Sequence, residues 1–186
     1  VKMCSKCYDD MDFLPVQINR IIDGKKVYCA GVYSKNLQKL IRGLKYHNQK
    51  DLAYYLAKFM AEYLNKITDK TDFEIIPVPI YPKREKKRKY NHMNLVGEEL
   101  ARLTNNSLNK NLIKRVKDTK PQYKLHERLQ NLNGAFEVDK SNYTGKTLLL
   151  IDDICTTGST FEEMIKEFAK HGITDIICLA ATTPFD

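Results

Sequence analysis

Apolar side chains recur along this chain in two rhythms, and the switches between them mark out its elements. Leu37, Leu40, Ile41 and Leu44 return every three or four residues, the spacing of one helix face. Leu52, Tyr55, Leu56, Phe59, Met60, Tyr63 and Leu64 form a second, longer stripe. Leu95, Val96, Leu100 and Leu103 form a third, in a helix beginning near Asn91, and Phe161, Met164, Ile165, Phe168 and Ala169 a fourth. Between these stripes the pattern is extended. Residues 26–33 (KVYCAGVY) alternate and carry β-formers, after a turn signal at Asp23-Gly24. Residues 73–80 (FEIIPVPI) read as a buried strand that prolines turn into a loop. Short strands are predicted at 112–116 and 135–138, and a last one at 173–181. Residues 148–151 (LLLI) are unbroken apolar, which suits a strand buried on both faces, as in a parallel sheet.

The residues just beyond that run carry the candidate chemistry. Asp152 and Asp153 come first, then Thr156, Thr157, Gly158, Ser159 and Thr160, then the fourth helix. Ser159 with Glu162 three residues on is a capping-box signature, and Gly172 suits the far end of the helix. A helix N-terminus offers unpaired N–H groups and a positive dipole end, which favours a phosphate. Two carboxylates at the strand's end can accept hydrogen bonds from vicinal hydroxyls. A phosphate cradle beside a diol cradle is what a ribose 5-phosphate needs. Acids ending a buried strand have little structural reason to be there, because burying an unpaired charge costs several kcal/mol.

A second feature is cationic. After Tyr81-Pro82 come Lys83, Arg84, Lys86, Lys87, Arg88 and Lys89, ending at Tyr90. Like charges this dense repel, so the segment reads as a loop that waits for an anion. It leaves the end of a predicted strand, where parallel sheets place their ligands. Residues 117–134 are polar and weakly periodic, predicting a long loop with some helix near 125–132. A stretch of that length is usually functional. Cys4 and Cys7 form a C-x-x-C, half of a four-ligand zinc site; a redox pair and two unremarkable cysteines stand as alternatives. Cys155 reads as a small loop residue rather than a nucleophile, with no His close in sequence.

Composition bounds the rest. The 186 residues suffice for one full-sized domain, and a hydrophobic content of 42% supports a core. No apolar run approaches a membrane span, and the first residues lack the apolar centre of a signal peptide. An odd number of cysteines, five, favours a reducing, cytoplasmic setting. The chain begins with Val1 rather than Met, which suggests truncation. A net charge of +8 favours anionic partners: phosphates, nucleic acid or a membrane surface.

Residues 148–160 resemble the signature with which type I phosphoribosyltransferases bind PRPP (5-phosphoribosyl 1-pyrophosphate). From 72 to 184 the chain is similar to the ComF family, phosphoribosyltransferase-like proteins associated with competence for DNA uptake. The likeness rests on Pro77-Val78-Pro79, then Pro82, Arg84, Arg88, Tyr90 and Asn91, with Lys89 where the family has Gly and His92 where it has Gln. Arg115, Thr119, Gln122, Leu125, Arg128, Asn131, Gly134, Ala135 and Phe136 match a second family pattern. The resemblance implies an α/β, type I phosphoribosyltransferase fold: a mostly parallel sheet flanked by helices, with a hood from the N-terminal segments. It implies a partial zinc-ribbon-like segment over 1–30, with Cys4 and Cys7 holding Zn2+, and a phosphoribosyltransferase-like domain over 31–186.

The resemblance also assigns roles. Asp152 and Asp153 hold the ribose hydroxyls, Thr156 to Thr160 the 5-phosphate, and Lys83, Arg84 and Arg88 the pyrophosphate, with Mg2+. Some purine-salvage relatives carry an Asp where Thr156 stands, so purine activation from that position is absent. Three readings stay open: a PRPP-binding protein working with the competence DNA-uptake machinery, a nucleotide-salvage phosphoribosyltransferase, and a non-catalytic adaptor for nucleic acid, single-stranded DNA included. The acceptor is not legible, nor is the oligomeric state, a dimer among the options.

Overall fold

The computed structural model describes residues 3–118 and 133–184. Its elements run α1 (Ser5–Asp9), β1 (Arg20–Ile22), β2 (Lys25–Val32), α2 (Lys35–Tyr46), α3 (Leu52–Ile67), β3 (Phe73–Pro77), α4 (Pro82–Arg88), α5 (His92–Thr104), β4 (Ser107–Leu108), β5 (Ile113–Arg115), β6 (Phe136–Val138), β7 (Thr147–Ile154), α6 (Ser159–Lys170) and β8 (Ile176–Thr183). Six strands form one sheet in the order β1-β2-β8-β7-β3-β4. Every pairing in it is parallel except β1 with β2, so the expected mostly parallel α/β sheet is present. β5 and β6 pair antiparallel as a separate two-stranded sheet.

The pleat divides the core. Along β7, Leu149 and Ile151 face one cluster with Leu44 of α2, Met60 of α3 and Val96 of α5. Leu148 and Leu150 face the other, with Phe161, Met164 and Phe168 of α6 and Phe136 of β6. All four β7 side chains are fully buried. Burying each contributes about 1.5–3 kcal/mol, which makes β7 the axis of the fold.

β2 runs across position 30/31 and pairs with β8 from Val27 to Val32. Two expectations are corrected. The basic segment is not a loop. Pro82 at the first position, with a ring angle already helical, starts α4. Lys89 ends α4 in the left-handed conformation, φ 71°, its N–H donating to the Glu85 carbonyl at 2.6 Å. The family's Gly at this position has its reason in that angle. Finally, Ser159 is the first residue of α6 rather than its cap. Gly158 caps it, and Glu162 pairs with Lys166 at 2.6 Å instead of closing a capping box. Of the strand expected over 112–116, Ile113–Arg115 form β5 in the small sheet. Most of the predicted long polar segment, including Thr119, Gln122, Leu125, Arg128 and Asn131, lies outside the described residues. Among the described residues no helix is long and apolar enough to cross a membrane.

Candidate functional site

The C-terminal ends of β3, β7 and β8 lie on one side of the sheet, and the sequence-predicted acids close β7 there. Because neighbouring residues of a strand point to opposite faces, Asp152 and Asp153 part company. Asp152 turns toward the start of α6. It shares a small hollow of about 30 Å3 with Thr156, Gly158, Ser159 and Thr160. The loop is tightly made. Gly158 sits at φ 82°, and a Cβ there would lie 2.9 Å from Ile22 and 3.1 Å from the Arg20 side chain. Thr157 and Ser159 hydroxyls lie 2.9 Å apart, and Arg20 donates to the Thr156 carbonyl at 2.8 Å. Gly158 caps α6 without a side-chain hydrogen bond. Burial and the adjacent Asp153 carboxylate push the Asp152 carboxyl above its ordinary range.

Asp153 turns to the other face and is buried between Lys45 and His92. Its Oδ2 lies 2.6 Å from Lys45 Nζ at the end of α2 and 2.6 Å from His92 Nε2 at the start of α5. Burial alone would raise its carboxyl; Lys45 and His92 overturn that and hold it well below the usual carboxylate range. Burial draws the Lys45 ammonium down, and Asp153 outweighs it and keeps the group charged. His92 is lowered by burial, which prevails over its bond to Asp153 with help from Lys45 and Arg88. Asn91 sets His92 in place. Its Oδ1 caps α5 by accepting from the Met93 N–H at 2.9 Å, and its Nδ2 donates to the Val78 carbonyl at 3.3 Å.

Lys45 also lines a cavity of about 390 Å3, with Tyr46, Asn48, Arg84, Lys87, Arg88 and Tyr90. The cavity brings Arg84 and Arg88 together as expected; Lys83 is exposed on the same short helix but outside the lining. Arg84 pairs with Asp118 at 2.9 Å. Tyr90 is a packing residue, buried and donating to the Leu44 carbonyl. Arg115 lies close enough to Arg84 and Asp152 for their charges to act on it, and burial lowers it.

Cys155 is buried and shares a hydrogen bond with Cys29, which lowers its thiol and raises that of Cys29. That is a packed thiol pair beneath the loop. Cys4 and Cys7 are exposed, Cys4 capping α1 by accepting from the Cys7 N–H at 3.3 Å through its Sγ. Among the described residues no three His, Cys, Asp or Glu side chains gather as a metal site.

Sequence reasoning missed Lys45 and Arg20, and it met His92 only as a departure from a family pattern. A lysine in the last turn of an amphipathic helix reads as a solvated dipole partner. Nothing local marks an arginine on a three-residue strand as the brace of a distant loop.

Comparison with known proteins adds to this geometry. The phosphoribosyl transferase domain family model matches residues 96–183, from α5 to the end of β8. Competence protein F of Haemophilus influenzae is 36% identical over 161 residues, 81% of this chain and 69% of that protein. DNA utilization protein YhgH of Escherichia coli (strain K12) is 26% identical over 158 residues, 81% of this chain and 69% of that protein. Competence protein ComFC of Bacillus subtilis is 24% identical over 128 residues, 69% of this chain and 51% of that protein.

Proposed function

The chain belongs to the ComF family of competence-associated, phosphoribosyltransferase-like proteins, and from that premise we propose that it binds PRPP across the strand ends of its sheet. The observation that carries this reading is the hollow shared by Asp152 and the hydroxyl loop at the start of α6. The 5-phosphate would lie on Thr156, Thr157, Gly158, Ser159 and Thr160, against the open first turn of α6. The ribose hydroxyls would meet Asp152, and Asp153 through the oxygen that Lys45 and His92 leave. The pyrophosphate would reach Arg84 and Arg88, with Lys83 nearby on α4. Magnesium suits such a site, since it takes one or two carboxylates together with substrate phosphates, and Asp152 is the carboxylate offered. When bound, it would neutralise charge on the pyrophosphate. If pyrophosphate leaves C1 with its bonding electrons, positive charge is left on the ribose ring, and the cavity's cations would stabilise the departing group.

The relatives are named for competence and DNA utilization, and a cytoplasmic role in the uptake or use of incoming DNA is the reading carried over here. Exposed Lys83, Lys86, Lys87 and Lys89 favour single-stranded DNA as a further partner. Counterion release would then make log affinity fall linearly with log salt, by about 0.7 per contacted phosphate. Calorimetric titration with PRPP and magnesium, repeated with single-stranded DNA, tests both readings. Saturable PRPP binding is expected; its absence at millimolar PRPP sinks the proposal. Zinc at Cys4 and Cys7 is tested by metal analysis of purified protein before and after replacing both with Ser. Stoichiometric zinc lost in the variant is expected, and a zinc-free wild type rejects it.

A further inference from the structure

We infer that His92 is a positioning residue which, held neutral, aims the Arg88 guanidinium into the basic cavity on behalf of Asp153. The inference rests on the reading of that cavity as the face that meets pyrophosphate. Arg88 Nη1 and His92 Nδ1 lie 2.6 Å apart. A guanidinium has donors only, so Nδ1 must be the acceptor. An imidazole whose Nδ1 keeps its lone pair carries its hydrogen on Nε2, and Nε2 lies 2.6 Å from Asp153 Oδ2. The contacts at the two ends of the ring therefore fix both its tautomer and its charge. They form one chain: carboxylate, imidazole, guanidinium, each group oriented by the one before it.

The arrangement spans three elements that are remote in sequence. The charged groups facing His92 are Asp153 from β7, Lys45 from α2 and Arg88 from α4. His92 is 4% exposed, so water does not substitute for either partner. Lys45 shares Oδ2 with His92, so Asp153 anchors two of the four cations that line the cavity. A proton added at Nδ1 would set an N–H against the N–H of Arg88 and break the chain at that link. The position demands one donor and one acceptor. A side-chain amide supplies both; an aliphatic side chain supplies neither.

The test uses the whole 186-residue chain and inorganic pyrophosphate as the probe. Nitrogen-15 spectra of labelled histidine are expected to show His92 neutral with its hydrogen on Nε2 at pH 7, and Arg88→Met to shift the Nδ1 signal. A cationic ring, a hydrogen on Nδ1, or a signal indifferent to Arg88→Met overturns the inference. In calorimetry His92→Gln is expected to bind pyrophosphate nearly as the wild type does, and His92→Leu about ten- to a hundredfold more weakly, the worth of one hydrogen bond to a charged group. Wild-type affinity in a folded His92→Leu overturns the inference. So does a His92→Gln variant that folds like the wild type yet binds as weakly as His92→Leu. Should His92→Leu not fold, the spectra and His92→Gln decide. A wild type that does not bind pyrophosphate overturns the assignment of the cavity instead, and the spectra still decide the relay.

Discussion

Asp152 and Asp153 share one chemistry and stand side by side in sequence, yet the two faces of β7 give them opposite lives. Asp153 is buried, ion-paired and held charged by Lys45 and His92. Asp152 is half-buried beside the hydroxyl loop, its carboxyl pushed up by burial and by its neighbour. The pleat thus divides identical side chains: one is locked into an ion-paired network and the other stands beside the hydroxyl loop.

The sharpest way to break that comparison is to remove each acid in turn. Asp153→Ala strips the half-buried Lys45 and the buried His92 of their shared partner and is expected to cost about 3 kcal/mol of stability, read by chemical denaturation. Asp152→Asn removes a repulsion and should leave stability within about 1 kcal/mol. Equal losses would erase the distinction. Next comes ligand affinity: Asp152→Ala should weaken PRPP by about 1.5–3 kcal/mol, one charge-assisted hydrogen bond, while remaining folded. Unchanged affinity would take the diol away from Asp152.

A smaller effect sharpens the comparison on the Asp153 side. The folded pKa of His92 lies below its unfolded value, so the unfolded chain binds the proton first. The His92 share of stability should therefore be whole above about pH 6.5 and fall as pH drops below it, by at most about 1.4 kcal/mol per pH unit for one proton, opposed in that window by the raised Asp152 carboxyl, which gains stability as pH falls. His92→Gln should remove that share, so that its curve departs from the wild type's in that window, and leave the further loss below about pH 4, where the depressed Asp153 titrates against its unfolded value. An identical curve would mean that His92 is not the group responsible. The smallest effect is at Lys89, where glycine relieves a left-handed backbone. Lys89→Gly is expected to gain about 0.5–1 kcal/mol, and any loss would mean that the lysine side chain holds α4 in some other way.

The hydroxyl loop was legible because its parts are contiguous: a buried strand, two acids, small hydroxyl residues and a helix lie within residues 148–160. The sheet was legible for a similar reason, since unbroken apolar runs and helical stripes do not overlap. Helix α4 was not, because it buries none of its residues and so carries no stripe. Its ends are set by Pro82 and by the turn at Lys89 instead. The Asp153 network was illegible because its contacts join residues far apart, His92 and Asp153 being 61 positions from each other. Local spacing cannot report a pairing that only the sheet order brings about.

That order has a consequence for how the chain comes to be folded at all. β2 and β3 are made early, yet they never touch: β8 and β7, from the last forty or so residues, are inserted between them. Until the C-terminus is synthesised, both early strands have open edges, and the helices beside them lack the sheet they pack on. Contacts this distant in sequence make for slow, late condensation and a long exposure to aggregation. The axis of the fold arrives late, with the acid pair at its tip, so the site comes into being as the sheet closes.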